Sequence, residues 1–447
     1  MQHILIIGAG RSAIALINYL ENYASDNNWQ VTVVDKDISN IQGQVSSDTN
    51  ILRLDLFDAE RLVKEVRNSS VVVSLLPARL HSVVAKVCVE EGKSLFTASY
   101  ESEEIKSMED KVKEKGLLFL NEAGLDPGID HMSAMQILDR IKADGYELKA
   151  FESFTGGLVA PESDDNPWHY KFSWNPRNVV VAGQGGTAKF IQEGKYKYIP
   201  YNRLFRRTEI IEIDGYGKFE GYANRDSLKY IEKYNLQDIP TIYRGTLRRP
   251  GFCRAWNVFV QLGITDDSFE MDLADGMTYR DFINSFLYYH PSDSVETKLY
   301  HYMHIDQDSD IIERLDWLEI LKNKPIGLKK ATPAQVLEKL LTEKWVLHPN
   351  EKDMVVMWHK FLYRMDGDEK DTCLTSSLVV EGQNNVRTAM AKTVGLPLAI
   401  IVRLYLEGKI KLSGVQIPTV KEIYEPVLQE LKEYGINFQE KIIDDCK

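Results

Sequence analysis

The chain has 447 residues, too many for one compact hydrophobic core, so two or three domains are expected. Hydrophobic residues make up 44% and charged residues 27%, as in an ordinary globular enzyme. The formal net charge of −12 argues against nucleic acid or an anionic membrane surface as the main partner.

The four cysteines lie far apart and form no C-x-x-C pair, which favours neither a zinc site nor a disulfide. No basic leader or apolar signal segment precedes the first predicted strand, and no uninterrupted apolar run reaches membrane-spanning length. These features predict a cytoplasmic location and no membrane partner.

The first fourteen residues combine a buried strand, a glycine turn and the start of a helix, with the spacing G-x-G-x-x-A. Gly8 permits the turn, Gly10 lets a pyrophosphate approach the backbone, and Ala13 lets the helix pack closely on the strand. The helix begins near Arg11 and Ser12, and the free N–H groups at its N-terminus favour the binding of an anion. The pattern predicts a dinucleotide-binding site.

Short apolar runs then alternate with amphipathic stretches up to about residue 121. The predicted strands are residues 3–8, 30–35, 50–54, 71–76, 94–98 and 117–120. The predicted helices are residues 12–23, 58–68, 80–91 and 102–114. Because the strands are continuously hydrophobic, both faces of their sheet are expected to be covered. The alternation predicts a doubly wound, Rossmann-type parallel sheet.

The second predicted strand ends at Asp35. A carboxylate there accepts hydrogen bonds from the adenosine ribose and repels a 2′-phosphate, which favours NAD over NADP. Lys36 follows directly and partly offsets that repulsion, so both NAD and NADP remain open. Asp55, after the third strand, is placed to face the adenine.

The fourth and fifth strands end in loops that should line the cofactor crevice, because ligands bind at the carboxyl ends of parallel strands. The fourth strand leads into Leu75, Leu76 and Pro77. The fifth leads into Ala98, Ser99 and Tyr100, where small and hydroxyl side chains suit close contact with cofactor or substrate. A capped helix start is the alternative interpretation of this second loop.

The sixth strand leads into residues 121–132, which contain two glycines, a proline and three acidic residues. The stretch GLDPGIDHM within it resembles the signature loop of the saccharopine reductase family, the saccharopine dehydrogenases that form glutamate. Further similar stretches follow in the same order. They include residues 155–158, 170–174, 222–227, 243–248, 394–397 and 414–418, so the resemblance covers essentially the whole chain.

Independently of the resemblance, the residue pattern in the middle of the chain predicts strands at residues 149–154 and 208–213 among loops rich in glycine and proline. Arginines in such loops suit bidentate capture of carboxylates. Three of them, Arg225, Arg244 and Arg248, are carboxylate-binding candidates. The run at residues 183–187 resembles a phosphate loop but lacks its lysine and hydroxyl ending, which favours a turn before a helix.

Residues 268–335 are predicted to be helix-rich, with helices at 278–289, 295–302 and 309–322 and no catalytic cluster. Residues 352–364 and 371–380 alternate as in an antiparallel strand pair, which is a possible dimer interface. Helical patterns follow at residues 386–406 and 420–433.

The family resemblance implies a fold with a second, mixed-sheet α/β domain and a helical insertion. The cofactor domain would comprise residues 1–125, completed by 390–447. The substrate-binding and dimerisation domain would comprise residues 126–267 and 351–389, with the insertion at 268–350. The implied assembly is a homodimer.

The implied activity is the nicotinamide-dependent reduction of the imine of 2-aminoadipate 6-semialdehyde and glutamate, or the reverse oxidation of saccharopine, in lysine metabolism. Two alternatives remain open. One is imine reduction in polyamine synthesis, as in carboxynorspermidine dehydrogenase. The other is nucleotide binding without catalysis.

The residue pattern and the resemblance together predict the site residues. Asp126 would contact a substrate ammonium group, and His131 would shuttle a proton or stabilise the helix start. The cofactor-binding set is Gly8, Gly10, Arg11, Ser12, Ala13, Asp35, Lys36, Asp55, Leu75, Leu76, Pro77, Ala98, Leu125, Asp126, Pro127, Gly128 and Trp174. The substrate-binding set is Ser99, Tyr100, Asp126, Asn224, Arg225, Asp226 and Arg244. No metal is expected.

Overall fold

A computed structural model describes residues 1–306, 308–365, 367 and 370–443. The chain folds into two compact units. Unit 1 contains residues 1–148, 363–372 and 378–447, and unit 2 contains residues 149–362 and 373–377, apart from the gaps just stated.

The N-terminal part of unit 1 alternates strands and helices. Its strands are β1 (Gln2–Ile7), β2 (Trp29–Asp35), β3 (Asn50–Arg53), β4 (Val71–Ser74), β5 (Ser94–Thr97) and β6 (Leu118–Leu120). Its helices are α1 (Ala13–Asn27), α2 (Ala59–Asn68), α3 (His81–Glu91), α4 (Glu103–Lys106), α5 (Glu109–Glu114) and α6 (Ile129–Ala143). One predicted helix, residues 102–114, is wrong as a single element, because residues 107 and 108 separate α4 from α5.

The middle of the chain contributes ten strands and eight α-helices within the described residues. The strands are β7 (Glu147–Val159), β8 (Ala188–Gln192), β9 (Lys195–Ile199), β10 (Thr208–Ile213), β11 (Gly217–Ala223), β12 (Thr241–Arg248), β13 (Met271–Asp272), β14 (Lys330–Ala331), β15 (Asp353–Arg364) and β16 (Thr372–Glu381). The helices are α7 (Pro176–Val180), α8 (Tyr201–Leu204), α9 (Tyr230–Lys233), α10 (Phe252–Leu262), α11 (Tyr279–Ser285), α12 (Val295–Met303), α13 (Asp310–Leu318) and α14 (Pro333–Lys344).

The C-terminal part returns to unit 1. Its elements are α15 (Ala389–Leu406), β17 (Gly414–Gln416), α16 (Lys421–Glu433) and β18 (Gln439–Ile443). β17 pairs in parallel with β6, with Val415 opposite Phe119. The last segment therefore supplies an edge strand to the sheet that the first residues of the chain begin.

The first sheet has seven strands in the order β17-β6-β5-β4-β1-β2-β3, and all of its pairings are parallel. Its central strands are β-branched and buried, as in Val71, Val72 and Val73 of β4. Continuous burial reflects coverage of both faces, which confirms the predicted doubly wound parallel sheet.

The second sheet has nine strands in the order β10-β11-β12-β7-β15-β16-β18, with β8 beside β12 and β9 beside β8. β12 pairs in parallel with β7 and antiparallel with β11, so this sheet is mixed, as expected. Helices α11 to α14 and the small β13–β14 sheet belong to the residues predicted as the helical insertion.

Three local predictions in the middle of the chain are wrong. The turn at residues 183–187 precedes strand β8 instead of a helix. Helices α11 and α13 end at Ser285 and Leu318, before the predicted ends at residues 289 and 322.

The prediction for the cysteines also needs correction, because Cys373 is disulfide-bonded. Cys88 and Cys253 are free, and Cys446 lies outside the described residues.

Helix α15 crosses α1 at a glycine. A Cβ on Gly395 would lie 2.9 Å from the backbone nitrogen of Leu16, so only glycine permits this approach. By length and composition α15 is apolar enough to span a membrane, and it is the one such helix among the described residues. Of its 18-residue apolar window, 78% is buried inside the structure, which is typical of a core helix in a folded domain.

Arg403 on α15 is a buried cation that joins three elements of unit 1. Its guanidinium donates to the Tyr19 hydroxyl at 2.7 Å and to both Glu407 oxygens at 2.8 and 2.9 Å. It also forms an ion pair with Glu430 on α16, and its side chain is only 9% exposed.

We expect Arg403→Met to lower the free energy of unfolding by about 3–5 kcal/mol, because the substitution leaves partly buried carboxylates without their counter-ion. Denaturant unfolding measures the effect. Lys421→Met is the control, since Lys421 forms an exposed i,i+4 pair with Glu425 that should contribute less than about 1 kcal/mol. Similar losses for both variants would contradict this account of Arg403.

Candidate functional site

The turn between β1 and α1 passes close to the chain leaving β4. Gly8 has a φ of +115°, and a Cβ on it would lie 2.9 Å from the carbonyl carbon and oxygen of Leu75. Two backbone bonds hold the turn, from the Gly8 N–H to Val34 at 2.9 Å and from the Leu75 N–H to Ile7 at 2.8 Å. Glycine is therefore required here by both conformation and space.

The rest of the glycine turn fits a diphosphate. A Cβ on Gly10 would meet no atom within 4 Å, so the space beside this backbone is open. Helix α1 begins at Ala13, and Ser12 at its N-cap makes no side-chain capping bond. An uncapped helix N-terminus beside open glycine backbone can hold an anion, and the exposed Arg11 lies in the same turn.

The end of β2 is tied to the glycine turn through Asp35. Its Oδ2 accepts the Ala9 N–H at 2.6 Å, and its Oδ1 accepts the Asp37 N–H at 3.0 Å. The neighbouring Lys36 lies 3.5 Å from Asp55, with both side chains exposed. Asp35 thus has an observed structural role beside the turn, and its contact with a ribose stays a prediction.

The ends of β4 and β5 lie side by side, with Ser74 paired opposite Thr97. Leu75, Leu76 and Pro77 follow the first of these strands, and Ala98, Ser99 and Tyr100 follow the second. Ala98 faces the signature loop, since a Cβ on Gly124 would lie 2.9 Å from the Ala98 Cβ.

His81, which belongs to none of the predicted motifs, joins these strand ends. The His81 ring is 2.8 Å from the Ser74 hydroxyl through Nδ1 and 2.7 Å from the Ser99 hydroxyl through Nε2. The sequence feature that could have indicated this role is a histidine at the start of a helix, after a strand that ends in serine. Its position in the sequence does not show which hydroxyl groups it contacts.

The signature loop places Asp126 beside Tyr100. The Tyr100 hydroxyl donates to Asp126 Oδ1 at 3.0 Å, and the Asp126–Pro127 peptide is cis. Gly128 has a φ of +147° and donates its N–H to Asp130 Oδ1 at 2.6 Å. Together with Leu125, these residues form a compact turn at the carboxyl edge of the parallel sheet, where a cofactor and substrate are expected.

His131 lies beneath this turn and is fully buried. Its Nε2 is 2.8 Å from Glu122 Oε2, and its Nδ1 is 3.5 Å from Asp130 Oδ2. Glu122 also accepts the Glu101 N–H at 3.0 Å and donates its own N–H to the Ser99 carbonyl at 2.9 Å. Glu122, which no sequence motif singled out, therefore links His131 to the loop of residues 98–100, the Ser99 loop. The role of His131 in proton transfer stays a prediction.

In unit 2, Asn224, Arg225 and Asp226 form a constrained loop after β11. The Asn224 N–H donates to the Arg244 carbonyl at 2.9 Å, and Arg225 has a φ of +55°, which is uncommon for a residue with a side chain. Asp226 accepts the Leu228 N–H at 3.0 Å, and its Oδ2 lies 3.1 Å from the Lys189 ammonium.

The two arginines of β12 are buried, whereas Arg225 is exposed. The Arg244 guanidinium lies 4.2 Å from the centre of the Tyr230 ring. Arg248 lies within 6 Å of the Tyr170, Tyr222 and Phe252 rings, an enclosed aromatic environment. Arg244 and Arg225 remain carboxylate-binding predictions, while the surroundings of Arg248 favour a packing role.

Trp174 belongs to unit 2, where its indole N–H donates to the Tyr170 hydroxyl at 3.3 Å. Its contact with a cofactor stays a prediction. Within the described residues, no group of three or more His, Cys, Asp or Glu side chains is arranged to hold a metal ion.

Two family models together match nearly the whole chain. The saccharopine dehydrogenase NADP binding domain matches residues 4–120, and the saccharopine dehydrogenase C-terminal domain matches residues 124–436.

Named relatives and a solved structure give the same result. Saccharopine dehydrogenase [NADP(+), L-glutamate-forming] of Schizosaccharomyces pombe is 30% identical, covering 100% of both chains. The mitochondrial alpha-aminoadipic semialdehyde synthase of Mus musculus is 34% identical over 97% of this chain, which spans only 47% of that relative. The structure of apo saccharopine dehydrogenase (L-Glu forming) from Saccharomyces cerevisiae matches with a TM-score of 0.86 at 30% identity, covering 99% of this chain and 100% of that one.

We expect Gly8→Ala to weaken dinucleotide binding about tenfold, because the new Cβ forces the turn away from Leu75. Gly92→Ala is the matched control: Gly92 also has a positive φ, +67°, but a Cβ there would meet nothing within 4 Å. Titration calorimetry should show normal binding for the control. Equal weakening in both variants would indicate general backbone strain instead of a local effect on the turn.

Proposed function

The chain belongs to the saccharopine dehydrogenase family, and on this premise we propose that it is an oxidoreductase acting on the CH–NH bond of saccharopine. Its oxidative reaction converts saccharopine, a nicotinamide dinucleotide and water into glutamate, 2-aminoadipate 6-semialdehyde, the reduced dinucleotide and a proton. The reductive reaction is the reverse. The chain spans about half the length of its mammalian relatives and the full length of the fungal ones.

The observation that carries the proposal is the position of the signature loop. Asp126, bonded to Tyr100, lies at the same carboxyl edge of the parallel sheet as the turn from Gly8 to Ala13. A dinucleotide held by that turn supplies or accepts the hydride when bound. The residues of the signature loop and of the Ser99 loop then have to bind and orient the amino-acid substrate beside it.

The substrate carries three carboxylates, and its nitrogen atoms are cationic when protonated. We assign Arg225, Arg244 and Asn224 to carboxylate binding, since guanidinium groups bind carboxylates through paired N–H bonds. Asp226 orients this loop through its bonds to Leu228 and Lys189.

We assign Asp126 to a substrate ammonium group, with the Tyr100 hydroxyl fixing the orientation of its carboxylate. His131 is buried beneath the loop, so we propose that it acts through Glu122, holding the Ser99 loop in place. Any proton that His131 exchanges with substrate would have to pass through its carboxylate neighbours.

The chain has a nicotinamide-cofactor domain, and we propose that its coenzyme is NADP rather than the NAD that Asp35 by itself favours. The matching domain family and the fungal relatives both carry NADP in their names. Both Asp35 oxygens already accept backbone N–H groups, which disperses the charge that would repel a 2′-phosphate. Lys36 supplies a neighbouring exposed positive charge.

The direct experiment is to follow reduced nicotinamide while the purified protein acts on saccharopine, with NADP and NAD in parallel. Turnover of saccharopine supports the proposal. Oxidation of carboxynorspermidine instead would move the protein to polyamine synthesis. Coenzyme binding without oxidation of either compound would indicate a nucleotide-binding protein without this activity.

We expect Arg225→Ala to raise the KM for saccharopine about 10- to 100-fold with little change in coenzyme affinity, as for the loss of a charge-assisted hydrogen bond. Arg254→Ala is the control, because Arg254 is an exposed arginine of the same unit, paired with Asp310. A parallel loss of coenzyme affinity in the Arg225 variant would refute the carboxylate assignment.

We expect Lys36→Ala to weaken NADP binding about fivefold while changing NAD binding little, since an exposed charge pair contributes about 1 kcal/mol. Lys64→Ala, an exposed lysine on α2, provides the comparison. The measurement is the dissociation constant of each variant for both coenzymes. An equal change in the constants for NAD and NADP would show that Lys36 does not interact with the 2′-phosphate.

A further inference from the structure

The His81 ring bridges the ends of two neighbouring parallel strands. It is buried, and its two nitrogens face the hydroxyls of Ser74, at the end of β4, and Ser99, just after β5. The Thr97 hydroxyl lies 3.4 Å from the same Nε2 that faces Ser99. The ring is thus enclosed by hydroxyl groups.

A neutral imidazole has one nitrogen that donates and one that accepts. Burial lowers the pKa of His81 to about 4, so the ring is neutral at physiological pH. Its two tautomers then have opposite effects on Ser99. With the proton on Nδ1, Nε2 accepts the Ser99 hydroxyl proton. With the proton on Nε2, the ring donates to Ser99, whose own proton remains available to a ligand.

The surroundings of Ser74 favour the second tautomer. Its hydroxyl is fully buried, and His81 Nδ1 is its one hydrogen-bond partner in the part of the chain that the structure describes. If Nδ1 carried the proton, the Ser74 hydroxyl would accept, and its own proton would be left buried without an acceptor, which is unfavourable. With the proton on Nε2, Ser74 donates its own proton to Nδ1 at 2.8 Å, a closer contact than the 3.4 Å between Nε2 and the Thr97 hydroxyl.

The backbone around Ser99 is fixed independently of His81. Its N–H donates to Thr97 Oγ1 at 3.2 Å, and its carbonyl accepts the Glu122 N–H at 2.9 Å. The next residue, Tyr100, bonds to Asp126 at 3.0 Å. The direction of the Ser99 hydroxyl proton then depends on whether the His81 Nε2 beside it donates or accepts.

We propose that His81 is a positioning residue whose Nε2–H donates to Ser99, so that the Ser99 hydroxyl donates its own proton to a carboxylate of the amino-acid substrate. This inference rests on the proposed function for the identity of the substrate. His81 itself touches neither substrate nor cofactor in this scheme. Its effect is to make Ser99 a donor rather than an acceptor.

Two conservative substitutions of His81 distinguish the roles of its two ring nitrogens. The amide nitrogen of glutamine can replace Nε2 toward Ser99, whereas the shorter asparagine can reach only the position of Nδ1 toward Ser74. We expect His81→Asn and Ser99→Ala each to raise the KM for saccharopine about tenfold, with less than twofold change in the KM for coenzyme. His81→Gln should stay within about threefold of wild type.

The double variant His81→Asn/Ser99→Ala should be no worse than Ser99→Ala alone, because His81 acts through that hydroxyl. Multiplied effects in the double variant, or equal losses in the asparagine and glutamine variants, would overturn the proposal. Thermal unfolding of each variant shows whether a loss comes from folding instead.

The tautomer is measured without substrate by nitrogen-15 NMR of the histidine-labelled wild-type protein, with His81 assigned from the spectrum of His81→Gln. A neutral ring protonated at Nε2 supports the proposal, and one protonated at Nδ1 overturns it. If the wild type fails to oxidise saccharopine, the proposed function fails, and the spectrum still decides whether His81 donates to Ser99.

Discussion

Parallel pairing of the strands in the first sheet places all their carboxyl ends on one edge, and the arrangement of the candidate site follows from this constraint. The Gly8 turn, the Leu75 segment, the Ser99 loop and the signature loop are all extensions of those strands. They must pass within van der Waals distance of one another, which explains the glycines at positions 8 and 124. The close approach that permits ligand binding is therefore also a packing requirement.

Buried polar groups then fix these loops relative to one another. His81 contacts the Ser99 hydroxyl, and Glu122 bonds to the same chain segment through its backbone N–H and its carboxylate. His131 in turn bonds to Glu122. Such groups are stabilising only when paired, because an unpaired polar atom in the interior is costly. The network consequently gives the loops one arrangement, as a site that orients two reactants requires.

Unit 2 uses a different means of fixing charged side chains. Arg225 lies on a strained turn held by backbone bonds to β8 and β12, while Arg244 lies over the ring of Tyr230. A guanidinium stacked on an aromatic ring keeps its edge N–H groups directed away from that ring. The sequence pattern gives Arg225, Arg244 and Arg248 the same expected role, whereas their surroundings in the structure distinguish them.

Local sequence patterns were sufficient to predict the parallel sheet, most helix positions, the glycine turn and the signature loop. These features depend on local periodicity and on residues with special backbone conformations, such as Gly8 and Gly128. The break between α4 and α5, the disulfide at Cys373 and the pairing of β17 with β6 were decided by tertiary structure. So was the His81 bridge, whose partners lie 7 and 18 residues away in the chain. Contacts between residues distant in sequence depend on how the elements pack, and no local pattern encodes that geometry.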